Sequence, residues 1–317
     1  MNPENIYHGN RSLQFKEFIF GLLKKGKLKS KYINVLLKKE NLDLFSSAFT
    51  AASADPEDNY EIFEQLGDLS ANKFIVWYMY KRFPFLKTPR GVKVVARLRI
   101  NYGAKNSFSD IAEKLGFWPF ISCATDGTTN GMKYKNRHKK DLLEDVFEAF
   151  IGCTEFILDN ELRVGVGYGI VYQILSSIFD EMDISLNYND LFDAKTRLKE
   201  VFDCYPDQGT WNFTNRRQDI DDDGHSVSVS SLYIVPQGTN KLSIKKSTGP
   251  NKNDFIEIPQ NGWILIAEAS ASTKSASQQK AASIGITILN KQGFVKEIPP
   301  EYKFFQESQK NQSNQSK

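Results

Sequence analysis

From about residue 12 to residue 180, apolar positions recur at intervals of three and four. The segments LQFKEFIFGLLKK, YINVLLKKE, EIFEQLGDLSANKFIVWYMYKRF, VKVVARLRINYG, FSDIAEKLG and KDLLEDVFEAFIGCTEFILD all carry this spacing. It predicts a run of amphipathic helices and hence an all-α domain over residues 12–182. Pro84, Pro89, Gly91 and Gly116 punctuate the run. After about residue 190 the pattern changes. LFDAKTRLKEVFDCY reads as one helix. WNFTNRRQ, SVSVSSLYIV and GWILIAEASA alternate and are rich in β-branched residues, so they read as strands. STKSASQQKAASIGITILNKQG returns to helical spacing. The order α-β-β-β-α predicts an α+β domain over residues 189–297. A Lys-, Asn- and Gly-rich stretch at about 236–261 is longer than a hairpin needs and reads as a loop insertion. Residues 298–317 end in ESQKNQSNQSK, a polar, low-complexity run that predicts a disordered tail.

Composition narrows the chemistry. The chain of 317 residues has 40% hydrophobic and 25% charged residues, the ordinary range for two globular domains. Its three cysteines (Cys123, Cys153, Cys204) exclude a disulfide framework and a four-cysteine zinc site. His8, His138 and His225 lie too far apart in sequence to suggest a histidine-rich metal centre. The start, MNPENIYHGNRS, has no basic-then-apolar leader, and no run of about 18 apolar residues occurs. These features predict a soluble, cytoplasmic protein with reduced thiols and no membrane partner, with the nucleus also open to it. The net charge of +3 alone does not argue for nucleic acid. Its distribution says more: lysines cluster at Lys24, Lys25, Lys27, Lys29, Lys31, Lys38 and Lys39, and again at Lys133, Lys135, Arg137, Lys139 and Lys140. Either cluster could meet phosphates.

Two acidic segments carry the candidate chemistry. On a helix, Glu61, Glu64 and Asp68 fall at i, i+3 and i+7, one stripe on one face. Asp145 and Glu148 fall at i and i+3 on another. Like charges at that spacing repel, so each stripe costs stability unless a cation or partner covers it. If the two helices pack, the oxygens converge without histidine or cysteine, a donor set suited to Mg²⁺ or Mn²⁺. Such ions promote in-line displacement at phosphorus.

At these residues the chain resembles the ribonuclease III family. That family's signature helix runs Asn-Glu-Arg-x-Glu-Phe-Leu-Gly-Asp, matched by Glu61, Glu64, Leu66, Gly67 and Asp68. Ala48 to Ser53 looks like its Leu-Thr-His-x-Ser stretch, and Ala96 to Gly116 is similar to its connecting segment. Asp145 to Gly152 looks like its Ala-Asp-x-Phe-Glu-Ala-x-Ile-Gly helix. The resemblance implies Mg²⁺, with Mn²⁺ as a substitute, held by Glu64, Asp68, Asp145 and Glu148, which would also be the catalytic residues. It assigns Glu61 and Gln65 to dimer contacts or structure. The family's Arg, Phe and His are replaced here by Ile62, Gln65 and Ala51. The Lys- and Asn-rich composition, the insertion and the diverged signature suggest a source among large DNA viruses or AT-rich microbes.

The second domain resembles a double-stranded-RNA-binding domain. Ala194 to Glu200 is close to that domain's first helix, and Thr273 to Ala282 looks like the start of its second. Of the usual Gly-Pro-x-His loop only His225 remains. The resemblance implies RNA contacts by Lys195, Glu200, His225, Lys274 and Lys280, read through duplex shape and 2′-hydroxyls. Residues 190–297 hold equal numbers of basic and acidic side chains, an unusually neutral balance for a phosphate binder. Together the blocks imply a homodimeric, Mg²⁺-dependent endoribonuclease that cleaves double-stranded RNA to 5′-phosphate and 3′-hydroxyl products. The alternative on the same scaffold is a non-catalytic protein that binds or sequesters double-stranded RNA.

Overall fold

The computed structural model describes residues 5–125, 138–218, 227–247 and 255–315. The chain forms two compact units, Met1–Ile184 and Ser185–Lys317.

The first unit is helical: α1 (Leu13–Lys25), α2 (Ser30–Leu36), α3 (Lys39–Ala48), α4 (Glu61–Arg82), α5 (Gly91–Tyr102), α6 (Lys105–Lys114), α7 (Lys139–Glu161) and α8 (Val166–Phe179). Its β-structure includes an antiparallel pair, β1 (Ile6–Tyr7) with β2 (Cys123–Ala124). α7 is the central element. Leu142, Leu143, Val146, Phe147, Ala149, Phe150, Ile151, Cys153, Ile157 and Leu158 bury most of its circumference, the pattern of a helix surrounded by others. α2, α3, α4, α6 and α8 all pack against it. Phe147 and Phe150 join Phe45, Phe49, Phe108 and Phe117 in an aromatic core. α4 begins with Glu61 and Glu64 and ends with Lys81 and Arg82, charges that complement its dipole. Trp77 is 58% exposed on this helix.

The second unit contains α9 (Tyr188–Leu191), α10 (Ala194–Cys204), strands β3 (Thr210–Gln218), β4 (Val227–Val235), β5 (Ile244–Ser247), β6 (Phe255–Ile258) and β7 (Ile264–Ala271), then α11 (Lys274–Lys291) and α12 (Pro300–Gln315). The strands form one antiparallel sheet in the order β5-β6-β3-β4-β7. Leu198, Val201 and Phe202 of α10 and Ala281, Ala282 and Leu289 of α11 share one core with Phe213, Leu232 and Ala267 of the sheet.

Two expectations are corrected. The stretch at 236–261 is not simply a loop: it contains β5 and β6, and β6 extends the sheet at β3 through Arg216 and Ile256. Within 298–317, expected as a disordered tail, Pro300–Gln315 is a helix. Tyr302 and Phe305 bury there, with Tyr302 against Tyr188 and Phe192 at 5.2 and 5.4 Å. The backbone N–H of Leu186 donates to Gln309 Oε1 at 2.9 Å. Aromatic anchors upstream of the polar run give it a tertiary reason to be helical.

Candidate active site

α4 and α7 meet backbone to backbone. A Cβ at Gly67 would lie 1.8 Å from the Glu148 carbonyl oxygen, and one at Gly152 would lie 2.0 Å from the Phe63 carbonyl oxygen. Only glycine permits that approach. Glu64 and Asp68 bracket Gly67 on α4, while Asp145 and Glu148 lie just before Gly152 on α7. The crossing therefore brings the two acidic stripes into one electrostatic neighbourhood.

The carboxyl groups report this on each other. Glu148 is only 6% exposed. Burial, then the charges of Asp68, Glu144, Glu64 and Asp145, push its pKa up to about 9. Burial likewise pushes Glu64 up to about 7, helped by Asp145, Glu61, Glu144 and Asp68. Without a cation, Glu148 is thus held neutral at pH 7. Among the described residues, no three His, Cys, Asp or Glu side chains are placed so that they could hold a metal ion as they stand. The donor set nevertheless fits a hard divalent cation by type: all oxygen, multiply anionic, and one member buried against its preference for water.

Two neutral donors hold the aspartates. The Tyr60 hydroxyl donates to Asp145 Oδ2 at 2.7 Å. Asn72 Nδ2 donates to Asp68 Oδ1 at 2.6 Å and to the Asp68 carbonyl at 2.9 Å. The Ala48 to Ser53 block sets the first donor in place, since Tyr60 N donates to the Thr50 carbonyl at 2.9 Å and Thr50 pairs with Ser122. Sequence reasoning missed Tyr60, Asn72 and Glu144. Glu144 had a signal, because it stands four residues before Glu148 where the quoted pattern has Ala.

Glu61 and Gln65 are exposed on α4, beside Ile62, Leu66 and Leu69, which are 61%, 38% and 66% exposed. In the first lysine cluster, Lys25 pairs with Glu181 at 2.8 Å and Lys38 with Glu161 at 2.6 Å. In the second, Lys139 pairs with Glu113, while Lys133, Lys135 and Arg137 lie outside the described residues.

In the second unit, Lys195 of α10 reaches Gln278 of α11 at 2.8 Å. Lys274 opens α11 and lies 3.7 Å from Glu257 of β6. Lys280, also on α11, contacts the Ser270 carbonyl at 3.3 Å. Glu200 faces elsewhere, pairing with Lys296 at 2.9 Å and accepting from the Tyr188 hydroxyl. The structure thus gathers Lys195 with the first turns of α11 and leaves Glu200 in a separate clasp. His225 lies outside the described residues.

Comparison with known proteins places these elements. The family model described as the ribonuclease III domain matches residues 61–156, a span that contains Glu64, Asp68, Asp145 and Glu148. The chain is 37% identical over 319 residues to a protein of Invertebrate iridescent virus 6 described provisionally as a ribonuclease 3, covering 96% of this chain and 97% of that one. It is 46% identical over 181 residues to a similarly described protein of Frog virus 3, covering 57% of this chain and 47% of that one. It is 30% identical over 218 residues to the ribonuclease 3 of Limosilactobacillus fermentum, covering 63% of this chain and 84% of that one.

Proposed function

The chain belongs to the ribonuclease III family, and from that premise we propose a Mg²⁺-dependent endoribonuclease that cuts double-stranded RNA to 5′-phosphate and 3′-hydroxyl ends. Endoribonuclease activity follows from membership. The metal, the duplex substrate and the products are the finer reading. The observation that carries it is the glycine crossing of α4 and α7, which brings four carboxylates under one another's influence, one of them buried.

In this reading Glu64, Asp68, Asp145 and Glu148 hold Mg²⁺, or Mn²⁺ in its place. A divalent ion supplies polarisation of a phosphoryl oxygen and lowers the pKa of a bound water. Glu148 and Glu64 must release their extra protons before they can act as ligands, so cation binding and deprotonation are coupled. Asp68 and Asp145, oriented by Asn72 and Tyr60, would hold the metal or the attacking water. Burial of Glu148 keeps bulk water away from its carboxylate and strengthens each electrostatic contact there.

Two helices packed on an antiparallel sheet, with Lys195, Lys274 and Lys280 gathered at the start of α11, support the second unit as a double-stranded-RNA reader. His225 and Glu200 are its further candidate contacts. The exposed apolar residues Ile62, Leu66 and Leu69, flanked by Glu61 and Gln65, support a homodimer seam along α4. Two copies would then supply one cut to each strand. Among the described residues no helix is long and apolar enough to cross a membrane.

End-group analysis tests the chemistry. Products should accept a 5′-monophosphate-dependent ligase and a 3′-hydroxyl-dependent polymerase, and single-stranded RNA should compete poorly. Products with 2′,3′-cyclic phosphate ends would overturn the reading.

A further inference from the structure

We propose that Tyr60 and Asn72 are positioning residues of the cleavage reaction, each fixing the carboxylate of one aspartate, Asp145 and Asp68 respectively, on opposite helices of the site. The inference rests on the reading of those aspartates as site residues.

The geometry is matched across the two helices. Tyr60 precedes α4, but its hydroxyl crosses to Asp145 on α7 and donates to Oδ2 at 2.7 Å. Asn72 lies one turn beyond Asp68 on α4 and donates to Oδ1 at 2.6 Å. A carboxylate rotates easily about its last bond, with a broad preference. One hydrogen bond to one oxygen fixes its plane and so determines which lone pairs remain for a cation or water. Both donors are uncharged, so they orient the acids without cancelling the negative charge that a cation requires. A lysine at either place would offset part of that charge.

Neither side chain is an incidental neighbour. Tyr60 is 8% exposed, its backbone anchored on Thr50. Its ring is packed in place and its hydroxyl is committed to Asp145. Asn72 satisfies the Asp68 carbonyl and carboxylate with one amide, which clamps the Asp68 rotamer to its own helix. Tyr60 also stands where the family's signature has Asn, a shorter side chain with less reach toward the opposite helix.

The test uses the full chain with Tyr60→Phe, Asn72→Ala and, as a reference, Asp145→Asn. Tyr60→Phe keeps the buried ring and removes only the hydroxyl. Asn72→Ala places the best helix former at a half-buried position, so it should fold. Two readouts are taken: steady-state cleavage of a long RNA duplex across a Mg²⁺ titration, and the Mg²⁺-dependent rise in melting temperature without RNA. For each positioning variant, kcat should fall about 10-fold, and the half-saturating Mg²⁺ should rise about 3- to 10-fold in both readouts. KM for RNA should stay within about twofold, and saturating Mg²⁺ should restore part of the rate. Wild-type kcat and Mg²⁺ dependence in both variants would overturn the proposal. So would activity that falls only in step with the folded fraction and does not respond to Mg²⁺. If Asp145→Asn cleaves normally, the underlying site reading fails instead. If it is inactive while Tyr60→Phe and Asn72→Ala behave as wild type, only the positioning proposal falls.

Discussion

Glu148 is a buried acid among acids, which makes stability depend on pH in an unusual direction. Its folded-state pKa, about 9, stands above the ordinary value of 4.5. The folded chain therefore keeps a proton that the unfolded chain releases. This contribution is fully present below about pH 4.5 and is lost as pH rises toward 9. Glu64, raised to about 7, adds to the same trend over a narrower window. Without metal, Glu148→Gln should melt several degrees above wild type at pH 8, and with Mg²⁺ it should not cleave RNA. Melting curves in EDTA from pH 5 to 9 check this, and parallel curves for the two proteins would contradict it. The four candidate acids were legible because helical spacing and a quoted motif coincide on them. Tyr60 was not, because a tyrosine before a helix has no periodic signature and its partner lies 85 residues away. Asn72 looked like any polar residue on a helix, and its role became visible only once Asp68 was seen beside it.

At the scale of elements, the helix crossing decides whether a site exists. Gly67→Ala would drive a methyl group into a backbone oxygen that cannot swing aside. It should cost about 3 kcal/mol and reduce activity. Gly21 in α1 has open space around its missing side chain, so Gly21→Ala should be stabilising by about 0.5–1 kcal/mol. Denaturant melts of the two variants distinguish tight crossing from general helix propensity. The helices, the three long strands and the change of pattern near residue 190 could be read from periodicity. The β5–β6 hairpin could not, because its apolar residues are few and sit in Lys-, Asn- and Gly-rich sequence. Helix α12 was hidden by its polar end, while its burial depends on Tyr302 and Phe305. The hairpin has a consequence of its own. It sets Glu257 beside Lys274, so it competes with a phosphate for that lysine. Glu257→Gln should tighten duplex binding about 2- to 3-fold and Lys274→Gln should weaken it, with a salt slope shallower by about 1. Binding isotherms at three salt concentrations would show it, and no change in either variant would remove Lys274 from the RNA face.

On the scale of the whole molecule, the proposed enzyme needs two copies of the helical unit, and the proposed reader of the duplex would be a second unit with no net charge over residues 190–297. Leu69 is 66% exposed on α4, so Leu69→Glu should leave the fold intact. It should shift the chain from dimer to monomer at micromolar concentration by sedimentation; an unaltered dimer would place the seam elsewhere. The most direct test of the account as a whole is incubation of a long perfect RNA duplex with the chain and Mg²⁺, beside Glu148→Gln and EDTA controls. Metal-dependent products that vanish in both controls are the predicted result. A duplex bound but left intact by the wild-type chain would contradict the account and leave a protein that only binds RNA.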